Sequence, residues 1–204
     1  MTQLKRCAVP CHPNWPDVNG QCHGFVITMY LRLSAWPPTD RRVVLDSKAL
    51  ALVRQIQSEH MINPVAMPSV LANYDAASIA AIRLDIKPQT KVKGSLSGHL
   101  EPYISRVVGS KTLTIMTLVS RDYPGHTFLI DGRSRMGDLW IYDSHLPALL
   151  TRIDSARFDE TLYQYTLSKL VQIINYRPDF RDPTSFFLEA VTLKEVSTMA
   201  KADR

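Results

Sequence analysis

The chain has 204 residues, of which 45% are hydrophobic and 21% charged, a composition that supports a sizeable core and excludes a disordered tail, a collagen-like rod and a coiled coil. Its net charge of +5 lacks the dense basic runs of a nucleic-acid binder, so no nucleic-acid partner is expected. No apolar stretch is long enough to span a membrane, and the proline-broken N-terminus does not resemble a signal peptide read by the general export machinery. We therefore expect one domain over residues 1–204.

The first half of the sequence predicts helices. Residues 1–20 are rich in Pro, Asn and Asp and predict an irregular lead-in. Apolar residues then recur at helical spacing behind Cys22, which predicts a helix that begins there and ends before Trp36. The next predicted elements are a helix over 47–60 with Ser47 as its N-cap, one or two Ala-rich helices over 69–84, a basic loop over 85–98 and a helix over 97–108.

The second half predicts an antiparallel sheet, because β-branched residues become frequent after Gly109. The predicted strands are 111–120, 126–131, 138–143 and 185–193, with a helix over 159–174 before the last of them. Helices followed by an antiparallel sheet make an α+β protein.

Two of these strands, 126–131 and 138–143, predict a hairpin around the loop GRSRMG. If Asp131 faces Asp138, then His126 faces Asp143, with Cβ atoms about 5 Å apart on one face of the sheet. A slip of the register by two residues keeps both side chains on that face as diagonal neighbours. Either register brings an imidazole and a carboxylate together at the open end of the hairpin.

A cysteine at the start of a helix would supply the nucleophile that a hydrolase needs beside this imidazole and carboxylate. The positive end of the helix dipole favours a thiolate, and a nearby imidazole holds it as an ion pair and later protonates the leaving group. A carboxylate on the other ring nitrogen fixes the tautomer. Cys22, His126 and Asp143 are the predicted nucleophile, general acid and base, and orienting residue. The alternative bases are His145 and, less favoured, His23 and His99.

The three cysteines also allow a metal site. Cys7, Cys11, His12, Cys22 and His23 carry enough ligands for a tetrahedral zinc, although their spacing matches no regular zinc motif. A structural zinc there would make the protein a non-catalytic binding module and would remove Cys22 as a nucleophile. The hydrolase hypothesis, which we favour, needs neither metal nor cofactor, and it leaves Cys7 and Cys11 without a role.

The runs NGQCHGFVITMYL, PGHTFLIDG and LWIYDS resemble the papain-like cysteine peptidase superfamily. They look most like its compact bacterial effector branch, which includes YopT-like and GtgE-like proteases and related glutamine deamidases. In that branch a Cys opens the central helix, a His starts a strand, and an Asp or Asn ends the next strand. The resemblance implies a papain-like fold, a catalytic role for Cys22, His126 and Asp143, and a protein substrate. It also implies a virulence effector that a specialised secretion system delivers into a target cell.

The sequence departs from the papain pattern at the oxyanion side chain. Papain-type enzymes carry a Gln several residues before the Cys, whereas here Gln21 is adjacent to it and Pro16 stands six residues before. Gln21, Asn19 and Asn14 are the candidate donors, beside the backbone N–H of Cys22.

Overall fold

The computed structural model describes residues 6–7, 21–35, 46–86, 97–120, 125–133, 139–144, 150–153, 158–175 and 184–196. Its helices are α1 (Cys22–Ser34), α2 (Ser47–Ile62), α3 (Ser97–Gly109) and α4 (Phe158–Asn175), with a 3₁₀ turn at Ser69–Leu71. Its strands are β1 (Arg6–Cys7), β2 (Tyr74–Ile86), β3 (Leu113–Ser120), β4 (His126–Asp131), β5 (Leu139–Tyr142), β6 (Leu150–Ile153) and β7 (Thr184–Glu195). No helix in these described ranges is long and apolar enough to cross a membrane.

The strands form one antiparallel sheet in the order β1-β6-β5-β4-β3-β7-β2, with helices on both faces. Helices α1 and α2 build the core of one face, and α3 and α4 build the core of the other. Successive residues of β4 divide between the two cores, because neighbouring side chains of a strand point to opposite faces. With both faces covered, β4 is buried along its whole length. The predicted α+β class is confirmed.

Helix α1 begins at Cys22, as predicted. A continuous run from Gly24 to Tyr30 is buried, so α1 contacts protein around most of its circumference. The Tyr30 hydroxyl donates to the carbonyl oxygen of Leu193 at 2.9 Å and accepts from the Leu193 N–H at 3.0 Å, which ties α1 to β7. The Gly24 N–H, which a helix start leaves without an intrahelical partner, donates to Gln57 Oε1 of α2 at 3.0 Å.

Helix α2 agrees with its prediction except at the N-cap. The cap is Asp46, whose carboxylate accepts from the Ala49 N–H at 2.8 Å, and Ser47 is the first helical residue. Asp46 also pairs with Arg32 of α1 at 2.8 Å. A carboxylate that serves both a helix start and a neighbouring guanidinium therefore occupies the cap.

The predicted Ala-rich helices over 69–84 are wrong. Beyond the Ser69–Leu71 turn this segment is strand β2, which pairs with β7 from Tyr74 opposite Glu195 to Ile86 opposite Thr184. Alanine favours helix, but the long pairing with a distant strand outweighs this weak preference. The alternating run IRLDI within β2 is the strand signal in the sequence. Strand β2 extends to Ile86 and α3 begins at Ser97, so both ends of the predicted loop over 85–98 belong to regular elements. Residues 87–96 of this loop lie outside the described residues.

The irregular lead-in predicted over 1–20 is wrong at β1, because Arg6 and Cys7 pair with Thr151 and Leu150 of β6. The other residues of this lead-in lie outside the described part of the chain. Both strands are too short for a period of two to be recognised in the sequence, and the prediction did not include β6.

Candidate active site

The hairpin of β4 and β5 holds the candidate site, in the second of the two registers considered. Its pairs are Leu129 with Tyr142, Ile130 with Ile141, and Asp131 with Trp140. The prediction that Asp131 faces Asp138 is wrong by two residues. Asp131 faces Trp140 across the hairpin, and its buried carboxylate forms an ion pair with Arg133, whose Nε lies 2.9 Å from Oδ1. This register makes His126 and Asp143 diagonal neighbours on one face.

His126 and Asp143 form a buried hydrogen-bonded pair. His126 Nε2 lies 2.9 Å from Asp143 Oδ2, and the exposed fractions of the two side chains are 4% and 0%. His126 is the first residue of β4, and Asp143 directly follows β5. A carboxylate on Nε2 orients the ring and makes Nδ1 the nitrogen that faces a reaction partner.

Cys22 is a second partner of the imidazole. It is a half-buried free thiol at the first position of α1, and its side chain hydrogen-bonds with His126. Burial by itself would lower the pKa of His126. The hydrogen bonds to Asp143 and Cys22, together with electrostatic attraction to both, outweigh burial and raise this pKa to about 9. The structure therefore brings Cys22, His126 and Asp143 together from three separate elements.

Asp143 has two further donors, both on α4. The Tyr165 hydroxyl donates a short hydrogen bond to Oδ2, and Lys169 Nζ lies 3.0 Å from the same oxygen. Burial alone would raise the pKa of Asp143, but the bond and charge of His126, the charge of Lys169 and the Tyr165 bond hold it well below its usual range. Burial and the Asp143 charge raise the pKa of Tyr165, which keeps its proton on the phenol.

The sequence prediction did not include these two α4 residues, although a signal for one was present. Leu162, Thr166 and Leu170 are buried at helical spacing, and Lys169 falls on the same stripe. A lysine in an apolar stripe must be paired if the helix packs through that face. Lys169 is 5% exposed, so its burial on this stripe calls for a paired acidic group.

Of the remaining candidate bases, His23 and His99 lie within the described residues. His23 stacks on His60 of α2, with ring centroids 4.1 Å apart and planes inclined by 18°. Burial and the nearby His60 lower the pKa of His23 to about 4. His99 is exposed near the start of α3, and His145 lies outside the described residues.

Of the candidate oxyanion donors, only Gln21 lies within the described residues. It is the half-buried N-cap residue of α1, its carbonyl accepts from the Phe25 N–H at 3.0 Å, and its side chain makes no capping hydrogen bond. Asn19 and Asn14 fall outside the described part of the chain.

The zinc ligands considered above are only partly covered by the structure. Within the described residues, no group of three or more His, Cys, Asp or Glu side chains is placed to hold a metal ion. Cys11 and His12 lie outside those residues, and of Cys7 only the backbone in β1 is described.

No protein-family model matches the sequence, and no curated protein sequence matches it either. Among solved structures, the chain is similar to the crystal structure of the Pseudomonas avirulence protein AvrPphB. The identity is 10% and the TM-score 0.47, and the alignment covers 85% of this chain and 92% of that chain.

Proposed function

We propose that this protein is a thiol-dependent amide hydrolase with Cys22, His126 and Asp143 as its catalytic triad. One observation carries the proposal: a buried imidazole hydrogen-bonded both to a buried carboxylate and to the free thiol at the start of a helix. A base between a nucleophile and an orienting group is the arrangement that nucleophilic catalysis requires. With a pKa of about 9, His126 is mainly an imidazolium at neutral pH, the form that pairs with a thiolate.

The reaction follows from these roles. The Cys22 thiolate attacks the carbonyl carbon of an amide, forming a C–S bond and an oxyanion. The His126 imidazolium gives its proton to the leaving nitrogen as the C–N bond breaks, which releases an amine or ammonia and leaves a thioester. The neutral imidazole then takes a proton from water, whose oxygen displaces the sulfur. This second step restores the ion pair and releases a carboxylic acid.

The start of α1 also supplies an oxyanion site in this proposal. The N–H groups of a first helical turn point out of the helix end, and the Cys22 N–H is the donor nearest to its own sulfur. The Gln21 side chain, which makes no capping bond, is the second candidate donor. Replacing Gln21 by Ala should lower kcat more than it raises KM if this amide stabilises the oxyanion.

The proposed substrate is a protein, and the proposed setting is a secreted bacterial effector that acts on a host or competitor protein. This part rests on the resemblance of the three sequence runs to effector peptidases and deamidases. The attacked amide is a peptide bond in a protease and a glutamine side chain in a deamidase, and the same triad serves both reactions.

Incubation with candidate host lysates, followed by mass spectrometry, tests the proposal and separates its two forms. A protease creates new protein termini, whereas a deamidase raises the mass of a glutamine-containing peptide by one dalton. Cys22→Ala should abolish either product while the fold persists, and Cys11→Ala, which removes a different thiol, should retain it. Full activity of the Cys22→Ala variant would refute the mechanism.

Thiol labelling provides a test that needs no substrate. Iodoacetamide at mildly acidic pH should modify Cys22 faster than Cys7 and Cys11, because His126 holds the thiolate form. His126→Asn should remove this selectivity. Equal, slow labelling of all three cysteines in the unmodified protein would contradict the ion pair.

A further inference from the structure

The Asp143 carboxylate contacts two basic side chains through one oxygen, because Lys169 approaches the same Oδ2 that binds the His126 imidazole. His126 Nε2 lies 2.9 Å and Lys169 Nζ 3.0 Å from Asp143 Oδ2, and the side chains of Lys169 and Asp143 are 6% and 0% exposed. Tyr165 donates to the same oxygen, and its ring lies 5.3 Å below the Lys169 ammonium. An ion pair this deeply buried is costly to desolvate, so a role beyond packing is expected.

Counting the charges of the cluster indicates this role. In the part of the chain that the structure describes, the titratable groups of this cluster are Cys22 from α1, His126 from β4, Asp143 after β5, and Tyr165 and Lys169 from α4. With Lys169 present, the cluster is neutral both as thiol with imidazole and as thiolate with imidazolium. Without Lys169, these groups carry a net charge of −1 in both states, and a buried net charge is costly.

We propose that Lys169 is a positioning residue that neutralises Asp143 and thereby limits how strongly the carboxylate holds a proton on His126. This inference rests on the triad proposed above. A triad imidazole must give up its proton to the leaving nitrogen and then accept one from water, so its proton affinity has to stay moderate. Tyr165 keeps the carboxylate in place by occupying the same oxygen with an uncharged donor.

The test is to titrate His126 by NMR in the full-length protein, with its signal assigned from its loss in His126→Gln. Lys169→Met keeps a long unbranched side chain and removes the charge, and we expect proton binding by His126 to strengthen about tenfold. Lys194→Met is the matched control, because it removes the same charge from an exposed position on β7. An unchanged His126 titration in Lys169→Met, or an equal change in the control, would overturn the inference.

A second variant covers the case in which Lys169→Met does not fold. If Lys169 only compensates the Asp143 charge, the double variant Asp143→Asn with Lys169→Met should restore folding, because it removes both charges. A double variant that still fails to fold would show that Lys169 is needed for packing, which refutes the proposed role.

The two proposals fail separately, because the titration needs no turnover. An active Cys22→Ala variant refutes the hydrolase mechanism, while the His126 titration still decides the effect of Lys169. If the triad is catalytic, the alkaline limb of the pH–kcat profile should move to higher pH in Lys169→Met, since the imidazolium then keeps its proton longer. A limb that does not move would contradict the role of Lys169.

Discussion

The close approach of α1 to α2 at Gly24 allows a test of how the fold places Cys22. A Cβ atom added to Gly24 would lie 2.2 Å from the Val53 carbonyl oxygen and 3.1 Å from the Gln57 Cβ. Ordinary contacts of a Cβ atom begin at 3.4 Å, so Gly24→Ala must move the two helices apart by about 1 Å. The backbone oxygen of Val53 cannot rotate away as a flexible side chain could.

The expected cost follows from three contributions. Overpacking costs about 1–3 kcal/mol, and weakening the bond from the Gly24 N–H to Gln57 costs about 1 kcal/mol more. Alanine gains about 1 kcal/mol of helix propensity over glycine, which offsets part of this. Gly24→Ala should therefore lower the free energy of unfolding by about 2 kcal/mol.

Urea denaturation followed by circular dichroism measures this change. With a denaturant slope of about 2 kcal/mol per molar, the midpoint should fall by about 1 M. Gly98→Ala is the control, because this helical glycine in α3 has nothing within 4 Å of an added Cβ, and its midpoint should stay equal or rise. Labelling of Cys22 by iodoacetamide should also slow in Gly24→Ala, since α1 carries the thiol. A midpoint at or above that of the unmodified protein would refute the steric reasoning.

Two further predictions concern stability. His23 has a folded pKa of about 4 against 6.5 in the unfolded chain, so the unfolded state binds the proton first as the pH falls. The free energy of unfolding should drop by about 2 kcal/mol between pH 7 and pH 4.5. In urea titrations at both pH values, His23→Phe, which keeps the stacking on His60, should remove most of this pH dependence. An identical pH dependence in the variant would contradict the burial of His23. Tyr30→Phe should lower the free energy of unfolding by about 2 kcal/mol in the same assay, because the buried N–H and C=O of Leu193 lose their partner. A decrease below about 0.5 kcal/mol would show that another group replaces the hydroxyl.

Local patterns were sufficient to predict most elements and the triad candidates. The helix that begins at Cys22, strand β4 from His126 to Asp131 and the long helix α4 follow from periodicity and breakers near each segment. The period of two along the hairpin also places His126 and Asp143 on one face in either register. These features depend on the local sequence pattern, which is set by residues close together in the chain.

Interactions between distant segments decided the rest. Residues 69–84 have a helical composition, but from Tyr74 onward they belong to β2, because β7 offers a long partner strand about a hundred residues later. The hairpin register, with Asp131 opposite Trp140, is likewise a property of the paired strands, since the alternation of residues allows either of the two registers.

The sequence by itself determined that a thiol opens a helix, that an imidazole starts a strand and that a carboxylate follows the next strand. Only the tertiary structure decided that these groups meet, and that Tyr165 and Lys169 close the cluster from α4. The physical reason is that a buried charge depends on partners from whatever elements pack around it. Packing therefore sets the electrostatics of this site, whereas local sequence supplies its chemical groups.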